Sequence, residues 1–491
     1  MSMNVSKTDL QVSNVTFNGF EEKSFDTDLV LPDYCPDIAV VLKCKAHPYV
    51  SSGVQNGDRF TVEGATVLRI LYLGEDRKTV YGYETTVPYH VSFRINVATH
   101  HTLDTKCDYV NCRATGPRRL DIHGAIRIFL KTCDPVSVAT VSCNPHDTIC
   151  FQTKSIVSTV PVCEMVKSFS VSETIDIGAK AERLLYTDSV VSSCEKKVLT
   201  NKLILKGVLR LKAVYGIEDS VYVLHQEIPF SQIIDIPGLT NDWLLNVSVS
   251  HGERESYLHQ SENGHSVLST TCKLLSTVHA SINKSAEVVF DAYSKTHPVI
   301  CETEPLTVSC KVPSVMNKRT FSQTIDTPDG VREIVDMWGE PKSCELIDKG
   351  SPETWGASFL IGIIAKDETG HLGYYERMID CECTSDEQPN FDVMSVNGSL
   401  SVEGMRIQIE AEQTVRSHCK QTLDAVSDIY TESTEPYQQN GSSIRIVYAH
   451  PGERLWDIAK RHHSSVKEIQ CENDFFDEIV QNHTMLMIPL N

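Results

Sequence analysis

Cysteine and histidine are the residues of this chain whose types and spacing could do chemistry. Seventeen cysteines occur among its 491 residues. His100 and His101 lie just ahead of Cys107 and Cys112, and Cys143, His146 and Cys150 form a second group. Thiolate and imidazole donors grouped this way can hold zinc, but structural zinc sites favour paired CxxC knuckles, and neither group has one. Cys381 and Cys383 flank Glu382 just after a predicted strand, so alternation puts both thiols on one face, where burial is favoured over redox chemistry. The odd cysteine count and irregular spacing from Cys35 to Cys471 fit small buried hydrophobes. The rival is cross-linking within an assembly later exposed to oxidant. No metal and no cofactor are expected.

Carboxylates offer a second chemistry. Glu84, Glu227 and Glu376 each stand twenty residues after a glycine, Gly64, Gly207 and Gly356. General acid–base work needs a second group at a consistent place, and none accompanies them. The chain also lacks a GxxxxGK[ST] phosphate loop, an HExxH pair, a GxSxG elbow and a GxGxxG turn opening a helix. The expectation is a protein that is not an enzyme.

The elements around those glycines carry more information. Leu203, Leu205, Leu209, Leu211, Ala213 and Tyr215 alternate with Lys206, Arg210 and Lys212, the period of a strand with one buried face. The run breaks near Gly216 and resumes at Val221, which reads as a hairpin. Related stretches follow Gly64 and Gly356, with Tyr72, Tyr215 and Ile364 each eight residues after the glycine. A unit recurring about every 145 residues is a domain and not a stacking repeat. Phe25, Phe169 and Phe321 open the three copies. Helical spacing after Pro36, Ala179 and Pro328 (Ile38, Val41, Leu42; Leu184, Leu185; Val331, Ile334, Val335) predicts one short helix per copy. Leu120, Ile122 and Gly124 predict a later strand, with Leu400, Val402 and Gly404 as its third-copy counterpart. The fold class expected is mainly β: three tandem β-rich domains, sandwich or open barrel, over 1–150, 151–300 and 301–430, then a linker over 431–443 and a small domain over 444–491.

The formal net charge of −20 disfavours a nucleic-acid partner and an anionic membrane surface. No segment approaches the apolar length of a membrane span, and the first residues lack a secretory apolar core. A soluble cytosolic protein without membrane insertion is expected.

The last segment changes character. Ile444, Ile446 and Tyr448 suggest a strand, and Leu455, Ile458 and Ala459 a helix face. Ser465 with Glu468 forms a capping box opening a second helix, and Met485 to Ile488 close with a strand. Pro451, Gly452, Leu455, Trp456, Ile458 and Ala459, then Val466, Ile469 and Asn473, then Leu486, Ile488 and Pro489 resemble the LysM domain, a βααβ module. Its usual Asp-Thr after the glycine is Glu453-Arg454 here, and the glycine before the last strand is replaced. The resemblance implies a core of Leu455, Trp456, Ile458, Ile469 and Ile488. It implies a groove rim of Gly452, Glu453, Arg454, Asp474, Phe475, Phe476 and Asp477, open to a protein or a sugar.

The three copies themselves resemble the SPOCS domain, named for spore-coat proteins and found in clostridial and bacillar coat morphogenesis factors. The likeness rests on LPDYCPDI at 31–38, the strand from Gly64 to Tyr72, VYGYETTVPY at 80–89 and NCRATGPRRLDIHGAI at 111–126. It weakens in the second copy. Several such domains before one LysM imply a scaffold in the mother-cell cytoplasm, at the forespore surface. Its tail would dock the ATPase of the coat's basal layer while the repeats support other coat proteins. Binding of peptidoglycan N-acetylglucosamine glycan is the alternative.

Overall fold

The computed structural model describes residues 6–96, 100–142, 148–218, 220–311, 315–415, 418–432, 435–437, 443–475 and 477–490. Within them the chain is mainly β. A first set of strands comprises β1 (Lys7–Val30), β2 (Ile38–Asn56), β3 (Arg59–Gly74), β4 (Val80–Arg94), β5 (His100–Gly116) and β6 (Arg119–Val141). They form two antiparallel sheets, β1-β6-β5 and β2-β3-β4. A second set follows the same plan: β7 (Ile149–Asp176), β8 (Arg183–Leu199), β9 (Lys202–Ile217), β10 (Ser220–Asp235), β11 (Leu244–Gln260) and β12 (Ser266–Ser294). In the third, β13 (Val299–Lys311) and β14 (Val315–Ile325) together take the place of β7. The meander is β15 (Val331–Asp348), β16 (Glu353–Asp367) and β17 (Leu372–Ser385), then β18 (Asn390–Ser401), with β19 (Gly404–Val415) and β20 (His418–Thr431) in the place of β12.

In each set the two sheets face each other across an apolar layer. Leu209, Leu211 and Ala213 of β9 meet Leu268, Cys272 and Leu274 of β12. Each such buried leucine contributes roughly 1.5–3 kcal/mol of transfer free energy. Phe25, Phe169 and Phe321 sit opposite Gly124, Leu274 and Ile409, each packed against the core of its own set.

The helices predicted after Pro36, Ala179 and Pro328 are strands β2, β8 and β15. Each strand carries bulges at its start, between Ile38 and Val40, Leu184 and Tyr186, and Val331 and Glu333. A bulge adds a residue and shifts the buried face by one, which turns a period of two into the mixed spacing of a helix.

The counterpart proposed for Leu120 and Ile122 also moves. Taking Phe321 as the anchor, Met405 and Ile407 occupy those places, while Val402 is fully exposed at the turn before β19. The recurring glutamates are not equivalent either. Tyr72, Tyr215 and Ile364 all pair with a tyrosine, Tyr81, Tyr222 and Tyr374. From those tyrosines the glutamates lie three, five and two residues on, so Glu376 faces opposite to the others.

LPDYCPDI carries the chain from one sheet of the first set to the other. The Arg118 guanidinium donates to the Pro32 carbonyl and stands near Asp33 and Asp37, and the Tyr72 hydroxyl donates to the Pro36 carbonyl at 3.3 Å.

The three sets join twice. Their long outer hairpins extend past the sandwiches as stems, and Leu10, Val12, Ile156, Val288, Leu306 and Val308 pack together where the stems meet. At the other end the meander sheets contact one another in a ring: β4 meets β8, β10 meets β15, and β17 returns to β2. Leu71, Leu73, Val214, Trp338 and Ile364 fill its centre. After the linker come β21 (Ile444–Ala449), α1 (Leu455–Arg461), α2 (Val466–Asn473) and β22 (Thr484–Pro489), the two strands pairing antiparallel.

Candidate functional site

The tail is a small unit built on one apolar nucleus. Leu455 and Ile458 of α1, Ile469 of α2 and Ile488 of β22 are buried, joined by Ala459, Val480 and Leu486. Ser465 and Glu468 form the reciprocal capping box at the start of α2. Asn473 ties α2 to β22: its amide donates to the Met487 carbonyl and accepts from the Met487 N–H, each at 2.7 Å.

The first loop predicted as rim, Gly452 to Arg454, runs against residues 478–480, just past the second. Gly452 N donates to the Val480 carbonyl, Leu455 N to that of Glu478, and Arg454 bridges Ile479. Glu453 is less free than a rim residue. Its carboxylate accepts from His450 N at 2.8 Å and pairs with Arg461 at 3.3 Å, and the His450 N–H foremost holds it below the usual carboxylate range. Arg454, Asp474 and Asp477 are exposed, Phe475 packs against the nucleus, and Phe476 lies outside the described residues.

Trp456 sits at the edge of the nucleus and not within it, because its ring turns toward the second set of strands. Its indole N–H donates to Asp291 of β12 at 2.8 Å, and the ring meets Tyr293 edge-on with centroids 4.9 Å apart. Lys460 reaches both Asp291 oxygens, at 2.7 and 2.9 Å. The Tyr293 hydroxyl donates to the Ser464 carbonyl at 2.6 Å, and Lys295 pairs with Glu468 at 3.3 Å. The helices are therefore docked on the repeat body, and the sheet of the tail faces away. Asp291 and Tyr293 of β12, with Lys295 just past its end, have alternate-residue spacing, but nothing local shows their partner, more than 160 residues on.

A second concentration of polar groups lies where the three meander sheets meet. Arg69 of β3, 4% exposed, bonds Glu84 at 3.2 Å and stands 3.9 Å from Asp188 of β8. Lys212 of β9 pairs with Asp336 of β15 at 2.7 Å, and the Tyr186 hydroxyl donates to Asp336. Lys43 of β2 closes the ring on Glu376 of β17. Beside them His47 keeps access to solvent, yet the surrounding protein pushes its imidazole down to about 3 by desolvation. Burial likewise pushes the Lys45 ammonium down to about 7. Burial alone would raise the Asp188 carboxyl, but Arg69, with Arg254 and Lys45, outweighs it and holds the group well below the usual range. Of these groups Lys43, Lys45, Arg69 and Tyr186, with Leu71 and Trp338, line a small void between the sets.

Residues 180–251 match the family model described as SipL, SPOCS domain. The match supports the SPOCS spore-coat-associated family and a sporulation-related role. No curated protein and no solved structure gives a significant match. The matched segment spans the meander β8-β9-β10 and enters β11, so it falls in the copy whose sequence likeness is weakest. It contributes Tyr186, Asp188 and Lys212 to these polar contacts. Asp188 and Lys212 are cross-strand neighbours within one sheet, while the contacts of Lys212 and Tyr186 with Asp336, and of Asp188 with Arg69, need the ring contact with the neighbouring sheets, which the sequence does not show.

The remaining sequence candidates disperse. His101 stacks on Phe60 with centroids 4.5 Å apart and bonds Gln55, while Cys107 and Cys112 lie beneath in the first sandwich. Cys143 and His146 lie outside the described residues. Cys381 and Cys383 both turn into the third core. Glu84 and Glu227 bond arginines of their own hairpins, Arg69 and Arg210, and so act as cross-strand partners.

Proposed function

We propose that the chain is a non-enzymatic scaffold of the spore coat, with a three-repeat body that presents its tail to the ATPase of the coat's basal layer. The SPOCS match supports the setting. The strand–helix–helix–strand order of the tail, with Leu455, Ile458, Ile469 and Ile488 inside, fits the LysM resemblance. The place of action is the forespore surface, reached from the mother-cell cytoplasm.

One observation carries the docking role. Alternation places Ile444, Ile446 and Tyr448 of β21 on the outer face of the tail, beside Met485 and Met487 of β22, all exposed. Pairing sets Ile446 against Met487 and Tyr448 against Met485. A contiguous exposed apolar face marks an interaction surface, and the docked helices leave this face outward. Exposed Arg454, Asp474 and Asp477 add polar contacts.

The test titrates purified full-length chain onto purified basal-layer ATPase. Ile446→Lys combined with Met487→Lys is expected to weaken binding by about tenfold or more. Unchanged affinity, or sedimentation with peptidoglycan without ATPase binding, would sink the assignment.

A further inference from the structure

The two sheets of the first sandwich, β2-β3-β4 and β1-β6-β5, share no backbone ladder. At one edge of the sandwich β2 runs beside β5. Cα atoms of these two strands come within 8 Å of each other, closer than the roughly 10 Å between packed sheets. The side-chain contacts follow an antiparallel order. His101 Nε2 meets Gln55 Oε1 at 3.1 Å, and the Thr105 hydroxyl donates to the Pro48 carbonyl at 3.1 Å. Cys112 and Cys44 come next along the same seam.

Both cysteines are free and both face the core that Leu68, Ile70 and Leu120 fill. Cys44 is buried on β2, and Cys112 is half-buried on β5. A hydrogen bond from the Cys44 thiol to the Cys112 sulfur crosses the seam; it holds the Cys112 thiol below its usual range and pushes that of Cys44 above it. Among the described residues no third thiol, imidazole or carboxylate closes within 4.8 Å of both, so the two form a pair and not a metal cluster. A disulfide needs Cα atoms roughly 4.4–6.8 Å apart and side chains turned toward each other. Inward-facing thiols in contact across strands this close come within its reach.

We propose that Cys44 and Cys112 are a site of oxidative cross-linking, joined by reaction with a low-molecular-weight disulfide into a bond that staples the two sheets of the first sandwich at their β2–β5 edge. The Cys112 thiolate attacks one sulfur of the small disulfide and displaces the other as a thiolate. Cys44 then gives up its proton to that thiolate and attacks the Cys112 sulfur of the mixed disulfide, releasing the second small thiol. The protein pair loses two electrons and two protons, and the small disulfide becomes two thiols. Accessibility sets the order, since Cys44 is only 5% exposed while Cys112 reaches solvent.

The folded full-length chain is incubated with excess oxidised glutathione, then unfolded, alkylated and cut before aspartate. That cleavage places Cys35, Cys44, Cys107 and Cys112 in four separate peptides, 33–36, 37–57, 104–107 and 108–120. Peptide 37–57 joined to 108–120 is expected as the main product carrying either cysteine, and the same treatment in urea is expected to disperse Cys44 among several partners. Recovery of 37–57 and 108–120 mainly in alkylated form, or of Cys44 joined mainly to another cysteine, would overturn the pairing. The same link dominating in urea would overturn it too, since the fold would then play no part.

Discussion

Replacing Asp291 by alanine should release the tail from the repeat body without disturbing either core. Asp291 receives the Trp456 indole N–H at 2.8 Å and Lys460 at 2.7 and 2.9 Å, with its side chain 29% exposed. A hydrogen bond to a charged acceptor contributes about 1.5–3 kcal/mol, and a partly exposed ion pair about 0.2–1 kcal/mol. The loss is therefore about 2–4 kcal/mol, which lowers the docking equilibrium roughly 30- to 900-fold. The polar segment 431–443 connects the two parts, and its cleavage by a protease follows the undocked population when opening and closing are fast. Cleavage of Asp291→Ala within that segment should accelerate by a factor of that order, while the thermal transition of the body stays in place. Equal cleavage rates in the parent and the variant would refute the reasoning, since Asp291 would then contribute nothing to holding the tail.

Three further outcomes are expected. A methyl group on Gly82 would fall 1.7 Å from the Leu185 carbonyl oxygen, and also against Leu185 backbone carbon. Gly82→Ala should therefore part β4 from β8 and cost about 1–3 kcal/mol, read by calorimetry. Asp188→Asn removes the carboxylate facing Arg69 and Arg254, at 3.9 and 3.8 Å, and should destabilise the junction by a few kcal/mol at most, since Asp188 is 36% exposed. The folded Asp188 carboxyl lies below its unfolded range. Its stabilisation is thus present above about pH 4 and lost as pH falls further, so denaturant midpoints between pH 6 and pH 3 should fall more steeply in the parent than in Asp188→Asn. Trp456→Ala should accelerate linker cleavage as Asp291→Ala does, and the double variant should fall short of the product of the two effects, because the indole–carboxylate hydrogen bond is common to both.

What the sequence discloses here depends on whether a contact is periodic or long-range. Leu209 and Leu211 announce a buried strand because their partners lie across one sandwich, and Leu455, Ile458 and Ile469 announce a helix-packed nucleus for the same reason. Bulges defeat that logic. At Ile38, Leu184 and Val331 the added residue makes a strand look helical, and the error recurs in all three copies because the bulge does. The even spacing of Glu84, Glu227 and Glu376 misleads differently: turn lengths differ between the hairpins, so equal separation along the chain becomes unequal register across the sheet.

Trp456 shows the same limit in energetic terms. In isolation its apolar bulk predicts a core residue whose loss to alanine would cost about 3–5 kcal/mol of the tail's own stability. Placed at the edge of the nucleus with its N–H spent on Asp291, part of that energy belongs to docking instead. An isolated 443–491 fragment, where Asp291 is absent, should therefore lose less than that range on Trp456→Ala, measured by a circular-dichroism melt. A loss of the full 3–5 kcal/mol in the fragment would return Trp456 to the core and reduce Asp291 to an incidental neighbour.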